Sequence, residues 1–337
     1  MTARGMLLVA RLEFRTRLRA GRWKVLFGVW FAVLLAVSVL LRENVTTDDP
    51  AEDGVEMFGT LLFFVLLLMM LISPALTAQT INGDRERGTL APLQTTRLTP
   101  LEIVSGKFLA AWAVGLAVLG LALPFIAWPV LEGDVDPWRG VVCLVVTALL
   151  IGSACAVSLA LSALVVRSVT SALLSYLTVF ALMFGTILLF VLTMPFVTFD
   201  RTHGTGPDSS TEEVVDTRYT WWLLAPSPFV VLADAAPALP RKLVCPLDDH
   251  RPDDCHYEVD NDADVLGSIG QEVREARVEP QRSDERYLQY ERRKDAAPAV
   301  WPYGLGFHLL LAGGSLAVAA RRLRVPATRL PRGVRVA

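Results

Sequence analysis

Long apolar runs separated by polar segments dominate the hydrophobic pattern of this chain. The hydrocarbon core of a bilayer is ~30 Å thick, and a helix needs ~20 consecutive apolar residues to cross it. Six runs reach that length: Trp23 to Leu41, Met57 to Ile81, Phe108 to Leu131, Gly140 to Val166, Ser171 to Phe199, and about Val300 to Ala320. The pattern therefore predicts an all-α polytopic membrane protein with six transmembrane helices, five of them within residues 23–199 and the sixth at residues 300–320.

The first run has the features of a retained span and not of a signal peptide. It begins only at Trp23, it is longer than the apolar part of a signal peptide, and it lacks a small-residue cleavage site. Of the 337 residues 53% are hydrophobic, which is more than a soluble domain usually contains, and they are concentrated in the runs.

The positions of lysine and arginine predict the orientation of the spans. Residues 1–24, the connections after the second and fourth runs, and residues 321–337 together carry 18 Lys and Arg. The connections after the first and third runs carry only Arg42 and Arg139, against nine acidic residues. Basic residues accumulate on the cytoplasmic side of membrane spans. We therefore expect a multi-pass protein of the cytoplasmic (inner) membrane with both termini cytoplasmic, the second of them the basic tail 321–337.

Residues 1–22 combine arginines with leucines. Leu7, Phe14 and Leu18 share one face of a helix, and the arginines are not cleanly separated from it. One interpretation is an interfacial elbow helix that lies among the lipid headgroups and turns at Gly21 into the first span. The other is a positively charged flank that only determines the topology. The density of arginine and leucine favours the elbow helix.

The polar stretch after the second run contains signals for a short helix. Asn82-Gly83 predicts a break in the chain. Asp84 is a suitable cap for a helix that runs from Arg85, and either Gly88 or Pro92 is a suitable end for it.

A second helix start in this stretch is sharper. Thr99 to Glu102 match a capping box with proline at the first helical position, so we expect a helix that continues through Lys107 into the third span. A solvated loop is the alternative for the stretch as a whole. Against that alternative, the stretch contains leucines that need a surface to pack on, namely Leu90, Leu93 and Leu98.

Residues 200–299 are polar and acidic, with 21 Asp or Glu against 12 Lys or Arg. Within them the apolar segment 220–239 is split by Pro226 and Pro228, and its uninterrupted parts are too short to cross a membrane. A crossing there would also move the basic tail to the outer side, against the positive-inside rule. We therefore expect a re-entrant or interfacial pair of short helices at 220–239, inside a polar extracytoplasmic insert that forms a small external domain.

Three groups of polar residues have both an ordinary and a functional interpretation. The spacing of Cys245 and Cys255 in the insert allows a disulfide, but spacing alone does not decide between a disulfide and two free thiols. The acidic run 260–264 begins like a calcium loop but lacks its glycine and its final glutamate, which favours an ordinary solvated run. His308 is the only histidine within a span, and we expect packing or a helix–helix hydrogen bond for it rather than a proton relay.

The sequence lacks the motifs of several enzyme classes. It contains no phosphate-binding loop, no His-Glu-x-x-His zinc motif and no Gly-x-Ser-x-Gly nucleophile elbow. The six apolar cores also contain no Asp, Glu, Lys or Arg, whereas a proton-coupled transporter normally needs an ionisable residue at that depth. We therefore expect no catalytic, cofactor-binding or metal site in this chain, and we expect any energy for transport to enter from outside the membrane.

The segment from Ser73 to Lys107 resembles the signature region of ABC-2 type transporter permeases. In that family the second span runs into a cytoplasmic coupling helix with a charged group and Gly-Thr-Leu, followed by a Leu/Thr turn, a proline at the next helix start, and Gly-Lys before the third span. The chain departs from the family at Ala91 to Gln94, where a run of leucines is usual. The matching residues are Asp84-Arg85-Glu86-Arg87-Gly88-Thr89-Leu90, Thr95-Thr96, Thr99-Pro100 and Gly106-Lys107.

The resemblance implies that this chain is the permease subunit of an ATP-driven exporter, with a coupling helix at residues 84–91. The charged residues of that helix are then expected at the surface of the ATPase, while Gly88 permits a close turn and Leu90 packs into a groove of the nucleotide-binding domain. The residues implied in coupling to the ATPase are Asp84, Arg85, Glu86, Arg87, Gly88, Thr89 and Leu90.

The implied partners are a nucleotide-binding ATPase subunit, which binds the ATP, a second permease subunit, identical or not, and membrane lipid. No nucleic-acid partner is implied. The substrate does not follow, because the six-span pattern occurs in permeases for drugs, lipids, glycans and peptides. The alternative function is a non-transport membrane scaffold or sensor whose extracytoplasmic insert binds a ligand. An ATPase that co-purifies with the chain distinguishes the permease from the sensor.

Overall fold

The computed structural model describes residues 3–19, 21–44, 50–88, 98–203, 210–239, 242–244, 256–258, 264–280, 293–294 and 296–323. Within these ranges the helices, in chain order, are α1 (Ala3–Arg19), α2 (Gly21–Asn44), α3 (Pro50–Thr77), α4 (Asn82–Glu86), α5 (Pro100–Glu132), α6 (Pro137–Leu164), α7 (Ser168–Phe180), α8 (Thr186–Thr193), α9 (Pro228–Ala235), α10 (Val265–Glu275) and α11 (Trp301–Leu323). A π-helical turn, Ala181–Gly185, joins α7 to α8.

Six helical segments of the described chain are long and apolar enough to cross a membrane, which confirms the six predicted spans. We call them span 1 (α2), span 2 (α3), span 3 (α5), span 4 (α6), span 5 (α7 and α8) and span 6 (α11). Their ends differ from the ends of the apolar runs because capping groups also determine where a helix begins. Span 3, for example, begins at Pro100, well before the apolar run at Phe108, because Thr99 caps it.

Two short antiparallel hairpins lie in the insert, so the expectation of an all-α chain is wrong there. β1 (Thr198–His203) pairs with β2 (Ser210–Val215), and β3 (Lys242–Val244) pairs with β4 (His256–Glu258). In the first hairpin Thr198 lies opposite Val215. The rest of the described chain is predominantly helical.

The helical part of span 5 ends earlier than the apolar run. It closes in a 3-10 turn at Met194–Phe196, whereas the run continues to Phe199. Pro195 provides no backbone donor to this turn, and the β-branched and aromatic residues that follow favour an extended chain. Hydropathy alone does not show this change from helix to strand.

Span 4 forms the centre of the bundle. Its helix packs against spans 2, 3, 5 and 6. A Cβ atom on Gly152 of span 4 would lie 3.2 Å from Nε1 of Trp112 in span 3, so a small residue is needed at this contact. Further along the helix, Ala160 packs in one cluster with Ala319 of span 6. The small residues of span 4 therefore serve close packing within this chain.

Spans 1, 5 and 6 present apolar side chains outward. Leu40, Leu177 and Leu310 are 62%, 59% and 79% exposed. An apolar surface of this kind is unfavourable in water, whereas in a bilayer it contacts lipid tails or another membrane-embedded surface. The bundle is therefore organised for a hydrocarbon environment.

Each end of the bundle is held by its own contacts. At one end, which we call the α4 end, Ile81 after span 2, Ile103 at the start of span 3 and Leu323 at the end of span 6 form one buried cluster. At the opposite end, the α10 end, Arg42 in the last turn of span 1 pairs with Glu132 at the end of span 3, at 3.5 Å. Consecutive spans therefore run in alternate directions.

Two 3-10 turns and one α-helix follow one another at the apolar segment of the insert. The turns are Thr217–Tyr219 and Trp221–Leu223, and the helix is α9. Val231 and Leu232 of α9 are fully buried. The helix packs against α10, span 4 and span 6. The predicted pair of short helices at 220–239 corresponds to the 3-10 turn Trp221–Leu223 and to α9, and their re-entrant or interfacial location stays a prediction.

Candidate functional site

Helix α4 follows span 2 almost without interruption. The backbone N–H of Gly83 donates to the carbonyl of Gln79 at 2.8 Å, and that of Arg85 donates to the carbonyl of Ile81 at 2.9 Å. The predicted break at Asn82-Gly83 is therefore wrong. A helix start at Arg85 is also wrong, because α4 already begins at Asn82.

A serine of span 4 explains why α4 begins early. Ser162 Oγ accepts hydrogen bonds from the backbone N–H groups of Ile81 and Asn82, at 3.1 and 3.2 Å. Backbone donors in the first turn of a helix have no partner within that helix and need one from elsewhere. Ser162 supplies it from a segment about 80 residues away in the sequence, so the start of α4 depends on the packing of span 4.

Helix α4 ends in a turn at Arg87 and Gly88. Gly88 has a φ of +70°, in the left-handed region that glycine adopts without strain. Of the two ends that the sequence allows for this helix, Gly88 and Pro92, the structure supports Gly88. Residues 89–97, among them Thr89 and Leu90, lie outside the described residues, and so does that part of the predicted coupling helix 84–91.

Asp84 does not cap α4, because its carboxylate forms ion pairs instead. Its Oδ2 lies 2.5 Å from Nζ of Lys107 in span 3, and its Oδ1 lies 3.1 Å from the guanidinium of Arg87. Lys107 also binds the carboxylate of Glu13 in α1. We call Glu13, Asp84 and Lys107 the ion cluster.

The ion cluster joins three helices that are distant in the sequence. The side chain of Lys107 is 1% exposed, whereas those of Glu13 and Asp84 are 18% and 14% exposed. Burial of an ammonium group is unfavourable unless carboxylates compensate its charge. Removal of one partner from a buried ion pair typically costs about 3–5 kcal/mol. The ion cluster therefore holds α1, α4 and the start of span 3 together as one unit.

The capping box determines where span 3 begins. Thr99 Oγ1 accepts a hydrogen bond from the backbone N–H of Glu102 at 3.3 Å, and Glu102 Oε2 accepts one from the backbone N–H of Thr99 at 2.8 Å. Pro100 follows at the first helical position. The predicted capping box is confirmed. Because it fixes the first turn of span 3, it also fixes the position of Lys107 relative to α4.

A glycine allows α1 to lie directly on span 3. A Cβ atom on Gly106 would lie 2.7 Å from Cβ of Val9 and 2.9 Å from the carbonyl oxygen of Met6. The Gly-Lys pair thus has two structural roles, since Gly106 permits the contact with α1 and Lys107 pairs with it. Three leucines on α1 are 59% to 66% exposed: Leu7, Leu8 and Leu12.

The end of α4 carries exposed charges. Asn82 and Gly83 are buried, Arg85 is half-buried, and Glu86 and Arg87 are exposed. Charges of both signs therefore lie side by side at the end of a helix that is held to span 3 by the buried ammonium group of Lys107. This arrangement is suited to recognition of a partner surface and not to bond-making chemistry.

A second group of buried charges lies at the α10 end. Arg139 of span 4 and Asp264 form an ion pair at 2.5 Å, and each side chain is 2% exposed. Asp264 also accepts a hydrogen bond from the backbone N–H of Gly267 and caps α10. The expectation of a solvated acidic run at 260–264 is therefore wrong for Asp264, because Arg139 compensates its burial. Residues 260–263 lie outside the described residues.

Asp234, at the end of α9, is a further buried carboxylate at this end. Its Oδ2 accepts hydrogen bonds from the backbone N–H groups of Val300 and Trp301, both at 2.6 Å, and its Oδ1 binds Arg274 of α10. Asp234 therefore stabilises the first turn of span 6, where a negative charge is favourable. Sequence reasoning missed this residue, although it is the only charged residue in the segment 220–239.

His308 of span 6 is a buried hydrogen-bonding residue. Its Nδ1 lies 2.8 Å from Ser153 Oγ in span 4, and its Nε2 lies 3.0 Å from the carbonyl oxygen of Pro226. The predicted helix–helix hydrogen bond is confirmed. The contact also ties the turn before α9 to the middle of the bundle.

The cysteines that the structure describes do not belong to a metal site. Cys143 and Cys155 are buried thiols of span 4. Cys245 and Cys255 lie outside the described residues, so their disulfide stays a prediction. Within the described ranges, no cluster of three or more His, Cys, Asp or Glu side chains is arranged to hold a metal ion.

A comparison with protein families matches residues 40–206 to the family described as ABC-2 family transporter protein. The matched region extends from the end of span 1 through span 5. It contains α4, the capping box, and the ion-cluster residues Asp84 and Lys107. A search of curated proteins finds no match.

Proposed function

This chain belongs to the ABC-2 transporter family, and we propose that it is the permease subunit of an ATP-driven exporter. Six apolar spans make it a multi-pass membrane protein. In this proposal the spans form the transmembrane pathway. A separate subunit binds and hydrolyses ATP, because the sequence of this chain contains no phosphate-binding loop.

The observation that carries the proposal is the ion cluster at the base of α4. A force on the exposed part of α4 reaches Asp84 and then Lys107, which belongs to span 3. Exposed ion pairs contribute about 0–1 kcal/mol and break easily, whereas disrupting a buried pair costs about 3–5 kcal/mol. Helix α4 and span 3 are therefore expected to move together. Glu13 extends the same connection to α1.

In the proposal the α4 end faces the cytoplasm, where ATP is available. Basic residues lie at this end, both on α4 and in the last turn of span 6, which contains Arg321 and Arg322. The short connections at the α10 end are acidic. The positive-inside rule supports this orientation, with both termini on the cytoplasmic side of the inner membrane.

The exposed part of α4 is the proposed docking surface for the ATPase. Glu86 and Arg87 are exposed and present charges of both signs to a partner. Asp84 has a different proposed role, since its carboxylate is bound to Lys107 and acts through it. The left-handed turn at Gly88 directs the chain away from the helix. Roles for Thr89 and Leu90 rest on the family resemblance alone.

The proposed assembly also includes a second permease subunit and membrane lipid. The outward apolar faces of spans 1 and 5 provide surfaces for both. Helix α1 is proposed to lie in the inner headgroup layer as an elbow, with its exposed leucines toward the acyl chains and its arginines toward lipid phosphates.

A membrane sensor is the second candidate function. The observation that favours it is the buried ion pair between Arg139 and Asp264, which connects the insert to the central span. A ligand on the insert could act on span 4 through this pair. A sensor requires no ATPase, so the two candidates differ in their partner at the α4 end.

The experiment is affinity purification of the chain, followed by assembly with the ATPase that accompanies it in lipid nanodiscs. The test variant reverses the two exposed charges at the end of α4, Glu86→Lys in its last turn and Arg87→Glu directly after it. The control is Glu272→Lys, which reverses an exposed charge on α10 at the other end of the molecule.

We expect the wild-type chain to change the ATP hydrolysis rate of its partner. The charge-reversed variant should weaken assembly about tenfold or more, because like charges then face each other, and the control should assemble normally. A wild-type chain that purifies without any ATPase, or a charge-reversed variant that assembles and transports normally, would contradict the proposal.

A further inference from the structure

A cavity of about 520 Å³ lies at the α10 end, between the end of span 5, the β1–β2 hairpin and the segment after α10. This volume is within the range of pockets that hold small organic molecules. Its lining includes an aromatic wall, formed by Phe196, Phe199 and Tyr219, and a charged wall, formed by Asp216, Arg218 and Glu279. The two walls together indicate the chemistry of a ligand.

The aromatic wall continues the lipid-facing surface of span 5. Phe196 and Tyr219 are 85% and 70% exposed. On the same span, Leu189 and Leu192 are also more than half exposed, and they lead toward Phe196. A molecule with an apolar body that has partitioned into the bilayer can therefore reach the cavity laterally. The rings gain free energy when an apolar group covers them.

The charged wall carries more negative than positive charge. Arg218 donates two hydrogen bonds to Asp216, from Nε to Oδ1 at 2.8 Å and from Nη2 to Oδ2 at 2.6 Å. The remaining terminal nitrogen lies 3.4 Å from Glu279 Oε2. The N–H groups on both edges of the Arg218 guanidinium are thus directed at carboxylates of this chain. Few of its donors are left for an anionic ligand. These hydrogen bonds also lower the pKa of Asp216, so that its carboxylate stays ionised.

A further carboxylate lies beside the cavity. Thr198, which belongs to the lining, donates a hydrogen bond to Oε1 of Glu213 at 2.6 Å. Aromatic rings at this end of the molecule already hold cations: the guanidinium of Arg277 lies 4.3 Å from the ring centroid of Trp221, and that of Arg218 lies 5.7 Å from the ring centroid of Tyr219. Phe196 and Phe199 are therefore the rings of the aromatic wall that we assign to the ligand. The local charge and the aromatic rings therefore both favour a positively charged ligand.

We propose that this cavity binds an organic cation with an apolar body. The aromatic wall covers the apolar body and contributes cation–π attraction, and the excess of carboxylates balances the positive charge. Two sources of this chemistry exist: an ammonium headgroup of a membrane lipid, and a soluble amphipathic cation. The site goes beyond the proposed function, because it predicts binding by the chain alone, whether or not an ATPase couples to α4.

The test is equilibrium binding of radiolabelled tetraphenylphosphonium to the full chain in nanodiscs of phosphatidylglycerol, which has no ammonium group. Tetraphenylborate, which has the same shape and the opposite charge, is the matched probe. The variants are Glu279→Gln, which removes a charge from the cavity, and Phe196→Ala, which shortens an exposed side chain of the aromatic wall. Glu272→Gln on α10 is the control, and empty nanodiscs give the background.

We expect saturable binding of tetraphenylphosphonium, weakened about tenfold in each cavity variant and unchanged in the control, and no saturable binding of tetraphenylborate. Equal binding of the two probes, or full binding of the cation by both variants, would overturn the proposal. Replacement of half of the lipid by phosphatidylethanolamine distinguishes the sources. Weaker apparent binding of the probe then identifies a lipid headgroup as the ligand, and unchanged binding identifies a soluble cation.

Discussion

Arg139 and Asp264 lie 125 residues apart in the sequence and form an ion pair in which each side chain is only 2% exposed. The pair joins the central span of the bundle to α10 of the insert. Nε and Nη1 of Arg139 have no hydrogen-bond partner among the described residues. The buried guanidinium therefore depends on Asp264 for compensation of its charge.

Substitution Asp264→Asn should destabilise the protein by about 3–5 kcal/mol, because it leaves the charge of Arg139 buried and unpaired. Asparagine is as good a helix cap as aspartate, so the loss reports the ion pair and not the cap of α10. Thermal unfolding in detergent measures the effect. The double variant Arg139→Met with Asp264→Asn should recover most of the stability. A loss no larger than that of the exposed control Glu272→Gln would mean that the pair contributes nothing.

Substitution Gly106→Ala should displace α1 from span 3 and cost about 1–3 kcal/mol, because the new Cβ would lie 2.7 Å from Val9. Gly120→Ala in the same helix is the matched control. No atom lies within 4 Å of a Cβ at that position, and alanine favours the helix there. Limited proteolysis of α1 together with thermal unfolding gives the readout. Equal proteolysis of α1 and equal thermal stability in the two variants would contradict the packing of α1 on span 3.

Substitution Ser162→Ala should loosen the start of α4, because two backbone N–H groups lose their acceptor. An unsatisfied buried donor costs about 1–3 kcal/mol. Hydrogen exchange should become faster at Ile81 and Asn82 than at the rest of α4. Ser158→Ala, one turn earlier in span 4, is the control, since the Ser158 hydroxyl is buried and has no partner in the described structure. The same exchange rates in both variants would show that Ser162 does not position α4.

The pair of Asp216 and Arg218 predicts a pH dependence of stability. Hydrogen bonds from Arg218 lower the pKa of Asp216 below its ordinary value of 3.8. A lowered pKa in the folded state stabilises the protein above pH 3.8, and this contribution is lost as the pH falls through the folded-state pKa. Asp216→Asn should therefore be less stable than wild type at pH 7, by about 1 kcal/mol. The difference in the free energy of unfolding between the variant and the wild type should shrink below pH 3.8. A difference in this free energy that does not change with pH would exclude this explanation.

Local patterns in the sequence predict the spans and the start of span 3. The length of an apolar run is enough to predict a span. The four residues from Thr99 to Glu102 are enough to predict where span 3 begins. The end of α4 follows from Gly88 for the same reason, since a left-handed turn depends on a single residue.

Features that depend on distant partners do not follow from local patterns. The break expected at Asn82-Gly83 is absent because Ser162 supplies an acceptor from span 4. Asp264 belongs to an acidic run in the sequence, and only the fold brings Arg139 to it. Lys107 is part of the family resemblance, but its two carboxylate partners come from α1 and α4, and nothing in the sequence pairs them with it.

The most direct test of the central claim is site-specific photo-crosslinking from α4 in whole cells. A photoreactive amino acid replaces Glu86 in one variant and Glu272 in the other, and mass spectrometry identifies the captured protein. We predict that position 86 captures a nucleotide-binding ATPase subunit and that position 272 does not. Capture of an ATPase from position 272 alone, or no ATPase from position 86 when the chain is active in the same cells, would contradict the docking of an ATPase on α4.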